Sequence, residues 1–294
     1  MSVVARVRTY GSLVAIAHSV FAMPFAASAV VLSLAVPHEP LTALRVVAMV
    51  VSMVCARTSA MAFNRWADRD VDAKNPRTRV RHLPAGTVHA WEALALTIVS
   101  GLAFLAVAAT LGFWPAVLAP GVLVVLLGYS YAKRFTWGAH AWLGVALALA
   151  PGGAWLAMGV VPGPGIVLLM VGVVTWLLGF DVLYSLQDEE FDRGEGLRSI
   201  PARFGRQRAL TISASAHVVT VIALAACGLS LGRGPVYGVA VVVAAALLVY
   251  EHSLVRRRGL QAIDRAFFDV NAWVSVLFFA LVLADEGIRR FLAR

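Results

Sequence analysis

Long apolar stretches of about twenty residues alternate with short polar segments along the whole chain. Within these stretches Leu, Val, Ala and Gly follow one another without the period-two alternation of a membrane β-strand. About 20 apolar residues in a helix cross the roughly 30 Å hydrocarbon core of a bilayer. The pattern therefore predicts nine transmembrane helices, near residues 11–36, 41–63, 89–110, 115–132, 138–160, 164–184, 209–230, 235–254 and 266–283.

The composition agrees with an all-α membrane protein, because 60% of the 294 residues are hydrophobic and only 14% are charged. No remaining segment is long enough for a separate soluble domain, so residues 1–294 are predicted to form a single transmembrane domain. The first apolar stretch follows Arg6 and Arg8, as in a signal peptide, but it is longer than a signal core of about 7 to 15 residues. We therefore expect a retained helix there.

The positive charges indicate the orientation of the chain. Most of the 25 Lys and Arg residues fall in the segments that share one side with the N-terminus. Because cytoplasmic loops of membrane proteins are enriched in these residues, the N-terminus is predicted to be cytoplasmic and the C-terminus outside. The net charge of +9 then reflects topology and attraction to anionic lipid, and nucleic-acid binding is not expected.

Acidic residues are concentrated in two short segments at the predicted cytoplasmic ends of the second and sixth spans. The pair Asp68 and Asp72 and the pair Asp188 and Asp192 have the same spacing of four residues, and each pair precedes a basic loop. The second pair lies the same number of residues after the first at both positions, which suggests two related halves of the chain. The halves would be about 11–135 and 138–254, and a ninth helix would follow at 266–283. On helices, each cluster would form a stripe of oxygen ligands, and the two stripes would face each other across the bundle.

Carboxylate and amide oxygens suit Mg²⁺, which binds through a few protein oxygens and through substrate phosphates. Basic residues near both clusters could stabilise a leaving diphosphate. They are Arg65, Arg69, Lys74, Arg77, Arg79, Arg81, Lys133, Arg134, Arg193, Arg198 and Arg203. The two clusters thus predict a magnesium diphosphate site on the cytoplasmic side.

Simpler interpretations of these residues stay open. The acidic clusters could form solvated ion-pair networks, Arg57 and Asp181 could form a structural pair inside the membrane, and Lys133 could extend to the membrane surface without a further role. Asp269 and Asn271 are weak candidates for lining a cavity. Five other titratable residues are expected to be isolated and receive no predicted chemistry: His18, His140, His217, His252 and Glu251.

Two motifs resemble the signatures of the UbiA superfamily of intramembrane aromatic prenyltransferases. The first signature, NDxxDxxxD, is similar to NRWADRDVD at 64–72, and the second, YxxxDxxxD, is similar to YSLQDEEFD at 184–192. Further similar blocks follow in the family's order over nearly the whole chain: HSVFAMPFA at 18–26, RTSAMAFNRWADRDVDAKNPRTRVRHLPAG at 57–86, YSYAKRFTWGAH at 129–140 and DVLYSLQDEEFDRGEGLRSIPARFG at 181–205. Arg65 replaces the Asp that many members have, which is typical of the 4-hydroxybenzoate polyprenyltransferase branch. Parts of these blocks also resemble enzymes of the futalosine route to menaquinone.

The resemblance implies nine helices around a central cavity, with the motif loops on the cytoplasmic side and a lateral opening to lipid. It implies Mg²⁺-dependent transfer of a polyprenyl group from a polyprenyl diphosphate to a small aromatic acid, in the cytoplasmic membrane of a bacterial-type cell. The acceptor stays undecided between 4-hydroxybenzoate and a dihydroxynaphthoate. A haem O synthase-like prenyltransferase and a cation transporter are the alternatives.

The implied site has three parts. The Mg²⁺ ligands are Asn64, Asp68 and Asp72 for one ion and Asp188 and Asp192 for a second. The diphosphate contacts are Arg77, Tyr129, Lys133 and Arg134. The candidates on the acceptor side are Arg57, Asp181 and Tyr184.

Overall fold

A computed structural model describes residues 9–13, 21–263 and 266–293 of the chain, and those residues are largely helical. Residues 9–13 form a short helical stretch. The α-helices are α1 (Ala22–Ser33), α2 (Ala43–Lys74), α3 (Ala90–Thr110), α4 (Phe113–Gly128), α5 (Ala132–Phe135), α6 (Ala139–Ala157), α7 (Pro164–Ser185), α8 (Glu189–Gly194), α9 (Ile200–Ser230), α10 (Pro235–Arg258) and α11 (Asn271–Leu292). Short 3₁₀ turns lie at Tyr129–Tyr131, Leu186–Asp188 and Gly259–Ala262, and a π turn lies at Ala266–Val270.

The prediction of an all-α membrane protein is confirmed. Eight helices in the described part of the chain are long and apolar enough to cross a membrane. They match the second to ninth predicted spans. The first predicted span, 11–36, lies partly outside the described residues, and its described part includes the shorter apolar helix α1.

The chain divides into two compact units. One contains residues 9–13 and 41–131, and the other contains residues 21–40 and the described residues from 132 onward. The division after Tyr131 lies close to the border between the predicted halves, although α1 belongs to the second unit. The single-domain arrangement stays a prediction.

In the first unit, small residues allow α2 and α3 to approach closely. The Ser59 hydroxyl donates to the Thr97 carbonyl oxygen at 2.9 Å, and a Cβ on Gly101 would lie 3.2 Å from the Ser59 hydroxyl oxygen. Within a bilayer, such contacts replace the hydrophobic driving force that packs helices in water. This packing holds the long helix α2, whose last turns carry the first acidic cluster.

In the second unit, three glycines of α7 lie against α9 at intervals of seven residues. A Cβ on Gly165 would lie 2.6 Å from Leu231, and a Cβ on Gly172 would lie 3.0 Å from Leu224. A Cβ on Gly179 would overlap the imidazole of His217. The opposed residues, His217 and Leu224 on α9 and Leu231 directly after it, are also spaced by seven, so glycines at a seven-residue interval accommodate larger side chains at the same interval. This close approach fixes α7, which carries Asp181.

A buried chain of hydrogen bonds joins four helices of the second unit. The Trp176 indole donates to the Asn271 amide oxygen at 2.8 Å, and the Asn271 amide donates to Glu251 at 2.8 Å. His217 contacts His252 at 2.9 Å and the Trp176 carbonyl oxygen at 3.2 Å. The expectation that Glu251, His217 and His252 are isolated is therefore wrong, because helix packing joins residues that are far apart in sequence. Polar links of this kind hold transmembrane helices together.

Replacement of Gly144 on α6 tests the close helix packing. A Cβ there would lie 2.5 Å from the backbone carbonyl oxygen of Val174 on α7, so the helices must separate. We expect Gly144→Ala to destabilise the protein by about 1 to 3 kcal/mol and to lower the thermal unfolding midpoint in detergent by several degrees.

Gly153 on the same helix is the matched control, because a Cβ there would meet no atom within 4 Å. Alanine in a helix is favoured over glycine, so Gly153→Ala should leave the midpoint unchanged or raise it. Equal midpoints for the two variants would contradict the packing described here.

Candidate functional site

The first acidic cluster lies on the last turns of α2. The Asn64 amide nitrogen donates to Asp68 Oδ2 at 2.8 Å and reaches Ser130 Oγ at 3.5 Å. These contacts turn the amide nitrogen toward Asp68 and leave the amide oxygen as the group that can accept or bind a cation. Ser130 is buried in the 3₁₀ turn that also carries Tyr129, and it was not among the predicted site residues.

Asp72 is almost fully buried and is paired with Arg81. Arg81 Nη1 lies 2.7 Å from Asp72 Oδ1 and 2.9 Å from Asp72 Oδ2. The Asp72 backbone carbonyl also accepts from the Thr78 hydroxyl at 3.2 Å. Asp72 was predicted as a metal ligand, and in this structure its carboxylate neutralises a guanidinium. A cation at Asp72 must therefore compete with Arg81.

The segment that follows α2 is folded back by short-range hydrogen bonds. The Arg77 backbone N–H donates to Asn75 Oδ1 at 2.9 Å, as in the turns that Asn favours, and Arg77 itself is half-buried. Burial and the positive charge of Arg65 lower the pKa of His82 from its ordinary value. His82 is therefore neutral at pH 7, and Arg81 supplies the charge that Asp72 meets.

The second acidic cluster lies where α7 gives way to a 3₁₀ turn and then to α8. Asp188 and Asp192 are both buried, with 7% and 2% of their surface exposed. Lys133 Nζ lies 3.3 Å from Asp192 Oδ2, so Lys133 does more than extend to the membrane surface. The Arg198 backbone N–H donates to the Lys133 carbonyl oxygen at 2.6 Å, which ties the segment after α8 to α5. Arg134, its neighbour on α5, is exposed.

The two clusters thus share a feature that the sequence motifs do not reveal. In each unit the last aspartate of the motif is buried against a cation from another segment of the same unit: Arg81 holds Asp72, and Lys133 holds Asp192. A buried carboxylate is costly unless a cation neutralises it. The pairing explains how both aspartates can be buried as charged groups.

Asp181 lies on α7, seven residues before Asp188, and contacts His140 on α6. Asp181 Oδ2 is 2.7 Å from His140 Nδ1, and the Ile200 backbone N–H approaches His140 Nε2 at 3.3 Å. The expectation that His140 is isolated is wrong, since 41 residues separate it in sequence from the carboxylate it contacts. His18 lies outside the described residues.

The other predicted site residues have less distinctive surroundings. Arg57 on α2 and Tyr129 in its 3₁₀ turn are half-buried. Tyr184 packs against a buried apolar cluster and meets the ring of Phe268 edge-on, with 6.5 Å between ring centroids. Asn271, a weak candidate for lining a cavity, holds helices together in the buried network described above.

Each cluster supplies few metal ligands. Within residues 9–13, 21–263 and 266–293, no group of three or more His, Cys, Asp or Glu side chains is placed to hold a metal ion. Mg²⁺ typically binds one or two carboxylates and completes its shell with water and substrate phosphate. The pairs of oxygen donors therefore fit an ion that arrives together with a phosphorylated substrate.

Comparison with known proteins identifies the family. The model of the UbiA prenyltransferase family matches residues 21–282, so the chain belongs to that family. The 4-hydroxybenzoate octaprenyltransferase of Methylococcus capsulatus is 31% identical over 237 residues, covering 81% of this chain and 80% of the relative. The enzyme of the same name from Aromatoleum aromaticum is 33% identical over 241 residues, covering 81% of each chain.

Solved structures show the same fold. A UbiA homologue from Aeropyrum pernix K1 superposes with a TM-score of 0.82 at 31% identity, covering 91% of this chain and 98% of that one. A UbiA homologue from Archaeoglobus fulgidus, bound to GPP and Mg²⁺, gives a TM-score of 0.68 at 21% identity, covering 93% and 99%. The second likeness concerns the fold alone.

Arg81→Gln tests the pair with Asp72. The substitution leaves a buried carboxylate without its cation, so we expect the segment 75–88 to loosen. In detergent, trypsin should then cut at Lys74, Arg77 or Arg79 several times faster than in the unaltered protein.

Arg79→Gln is the matched control, since Arg79 is exposed and forms no ion pair with another described residue. It should leave cleavage of the remaining sites unchanged. Equal cleavage rates in the two variants would show that Arg81 does not hold this segment.

Proposed function

We propose that this protein transfers a polyprenyl group from a polyprenyl diphosphate to the ring of an aromatic acid, 4-hydroxybenzoate or a related dihydroxynaphthoate, in quinone biosynthesis. The observation that carries the proposal is the pair of matched acidic motifs, each with a buried aspartate held by a cation. Membership of the prenyltransferase family and the names of the octaprenyltransferase relatives support it.

The metal in this proposal is Mg²⁺. Asn64, Asp68 and Asp72 would hold one ion, and Asp188 and Asp192 a second, both with the donor's phosphate oxygens. All these donors are oxygen atoms, which suit a hard cation. When bound, Mg²⁺ neutralises the charge that develops on the diphosphate as its bond to carbon breaks.

The basic residues bind the donor's diphosphate oxygens. Lys133 is half-buried beside Asp192, so its ammonium group can exchange a carboxylate oxygen for a phosphate oxygen. Arg77, Tyr129 and Arg134 are the further contacts that we propose. A cation that is already fixed by the fold stabilises the departing charge without reorganising during the reaction.

The apolar helices protect the allylic cation that remains after the diphosphate has left. Phe180, Val182 and Leu183 surround Asp181 along α7 and are buried. Exclusion of water lets the cation alkylate an electron-rich ring carbon instead of being hydrolysed. Arg57 would pair with the acceptor carboxylate, Tyr184 lies on the acceptor side, and Asp181 takes the ring proton.

The location follows from the chain's class. The protein is a multi-pass membrane protein, and the two octaprenyltransferase relatives come from bacteria. We propose the cytoplasmic membrane, with the N-terminus and both motif segments in the cytoplasm and the C-terminus outside, because the basic residues are concentrated in those segments.

Substitution of one aspartate in each motif tests the metal assignment. We expect Asp68→Asn and Asp188→Asn each to lower the rate of diphosphate release at least 100-fold, because a neutral amide binds the cation weakly. The measurement is diphosphate release from farnesyl diphosphate with an aromatic acid and Mg²⁺, using detergent-purified protein with an unchanged unfolding midpoint.

Each motif contains its own control. Asp70 and Glu190 are exposed acidic residues beside the proposed ligands, so Asp70→Asn and Glu190→Gln should keep nearly full activity. Near-normal rates in Asp68→Asn and Asp188→Asn would refute the two-motif site. Equal losses in all four variants would show a general effect of charge.

Arg57→Ala tests the acceptor side. Loss of a charge-assisted hydrogen bond of about 1.5 to 3 kcal/mol should raise the KM for the aromatic acid roughly 10- to 100-fold. The KM for the polyprenyl diphosphate should change less than twofold. A raised donor KM with an unchanged acceptor KM would assign Arg57 to the diphosphate instead.

A further inference from the structure

We infer that His140 is a positioning residue for the reaction: as a neutral imidazole it donates to Asp181 Oδ2 and holds that carboxylate ready to take the ring proton. The inference rests on the proposed function, and it assigns a task to a residue that neither acidic motif contains. It stands on the contacts of His140 with Asp181 and Ile200, both within the second unit.

The hydrogen bonds of His140 identify its tautomer. The Ile200 backbone N–H can only donate, so His140 Nε2, 3.3 Å away, must be the acceptor and carries no proton. The remaining proton of the neutral ring is then on Nδ1, which donates to Asp181 Oδ2 at 2.7 Å. The imidazole therefore acts as a neutral donor to the Asp181 carboxylate.

The surroundings of His140 hold the ring in this orientation. His140 is 0% exposed, so water cannot replace either partner. Ile200 begins α9, where Ser199 accepts from the Ala202 N–H at 3.3 Å. Gly205, with φ of 77°, separates this first turn from the membrane-spanning part of α9, a conformation that a side chain would strain. The first turn is thus a fixed support for the imidazole.

The same support is connected to the second acidic motif. The Leu197 backbone N–H donates to the Asp192 carbonyl oxygen at 2.8 Å, and the next residue, Arg198, donates to the Lys133 carbonyl oxygen at 2.6 Å. The segment between Asp192 and Ile200 is therefore held at both ends. This segment leads from the second motif directly to Ile200, the residue whose N–H meets His140.

To accept the ring proton, Asp181 needs a carboxylate oxygen that the substrate can reach. Its side chain is 15% exposed, whereas that of His140 is fully buried. Oδ2 is occupied by His140, and Oδ1 has no hydrogen-bond partner among the described residues. Asp181 precedes Asp188 by seven residues, about 10 Å along a helix. This separation places the carboxylate away from the diphosphate and within reach of a ring that the prenyl carbon has attacked.

The proposed step balances without a further reactant. After the prenyl carbon has bonded to the ring, the C–H bond at that ring carbon breaks and its electron pair restores the aromatic ring. The proton passes to Asp181 Oδ1, and the carboxylate becomes a neutral acid. His140 Nδ1 keeps its proton throughout and fixes which carboxylate oxygen faces the ring.

Two isosteric substitutions separate positioning from a structural role. In His140→Asn the amide nitrogen can occupy the place of Nδ1 and still donate to Asp181. In His140→Gln the amide group reaches the place of Nε2, so it can accept from Ile200 but leaves Asp181 without its donor. We expect His140→Gln to lower kcat about 10- to 100-fold with an unchanged donor KM, and His140→Asn to stay within a few-fold of the unaltered enzyme.

The decisive readout is the kinetic isotope effect with 4-hydroxybenzoate deuterated at both ring positions ortho to the hydroxyl. If Asp181 is poorly positioned, breaking of the ring C–H bond becomes slow and the isotope effect on kcat must rise in His140→Gln. Equal losses of kcat in both variants, with an isotope effect that stays at the unaltered enzyme's value, would overturn the role of His140.

Two further measurements keep the result interpretable. If His140→Gln does not fold, Asp181→Asn must show the raised isotope effect, and an unchanged value there would also overturn the inference. If the unaltered protein forms no prenylated product with any aromatic acid, the proposed function fails and the inference fails with it. If the unaltered protein does form product but the isotope effect is unchanged in the variants, the proposed function stands and only the role of His140 is overturned.

Discussion

The neutralisation of buried carboxylates is the constraint on which the rest of the site depends. An aspartate at the end of an apolar helix is costly to bury unless a cation or a hydrogen-bond donor meets it. Arg81 meets Asp72 in the first unit, and Lys133 meets Asp192 in the second. His140 meets Asp181 deeper in the second unit. These contacts give each of the three carboxylates a hydrogen-bonding or cationic partner at a site where water has little access.

The packing of the helices provides the second condition. Three glycines on α7 accept larger side chains from α9, and Gly144 brings α6 against the α7 backbone. Because α6 carries His140 and α7 carries Asp181, the same close approach that stabilises the second unit sets the distance between the imidazole and the carboxylate. The stability of this unit and the geometry of its polar groups therefore have a common cause.

Much of the fold could be predicted from the sequence, because transmembrane helices are marked by length and hydrophobicity alone. The two aspartate motifs were equally visible, since Asp68, Asp72, Asp188 and Asp192 interrupt an otherwise apolar pattern. The partners of those residues were not visible. Arg81 was one of many basic residues in its loop, and His140 and Ser130, although they lie in the family-like block at 129–140, belong to neither aspartate motif. Their contacts arise from the packing of segments that are distant in sequence.

The row of glycines on α7 could have been recognised in the sequence, because Gly165, Gly172 and Gly179 recur every seven residues and so share one face of a helix. By contrast, the break at Gly205 and the support that Ile200 gives to His140 depend on a backbone conformation that composition does not specify.

The most direct test of this account is prenylation by the purified protein. The protein would be given geranyl or farnesyl diphosphate and Mg²⁺, with 4-hydroxybenzoate and 1,4-dihydroxy-6-naphthoate in separate reactions, and products would be followed by mass spectrometry. We predict a ring-prenylated product with at least one acid, and no product once EDTA has removed the metal. A folded, donor-binding protein that prenylates neither acid, or that forms product equally well in EDTA, would contradict it.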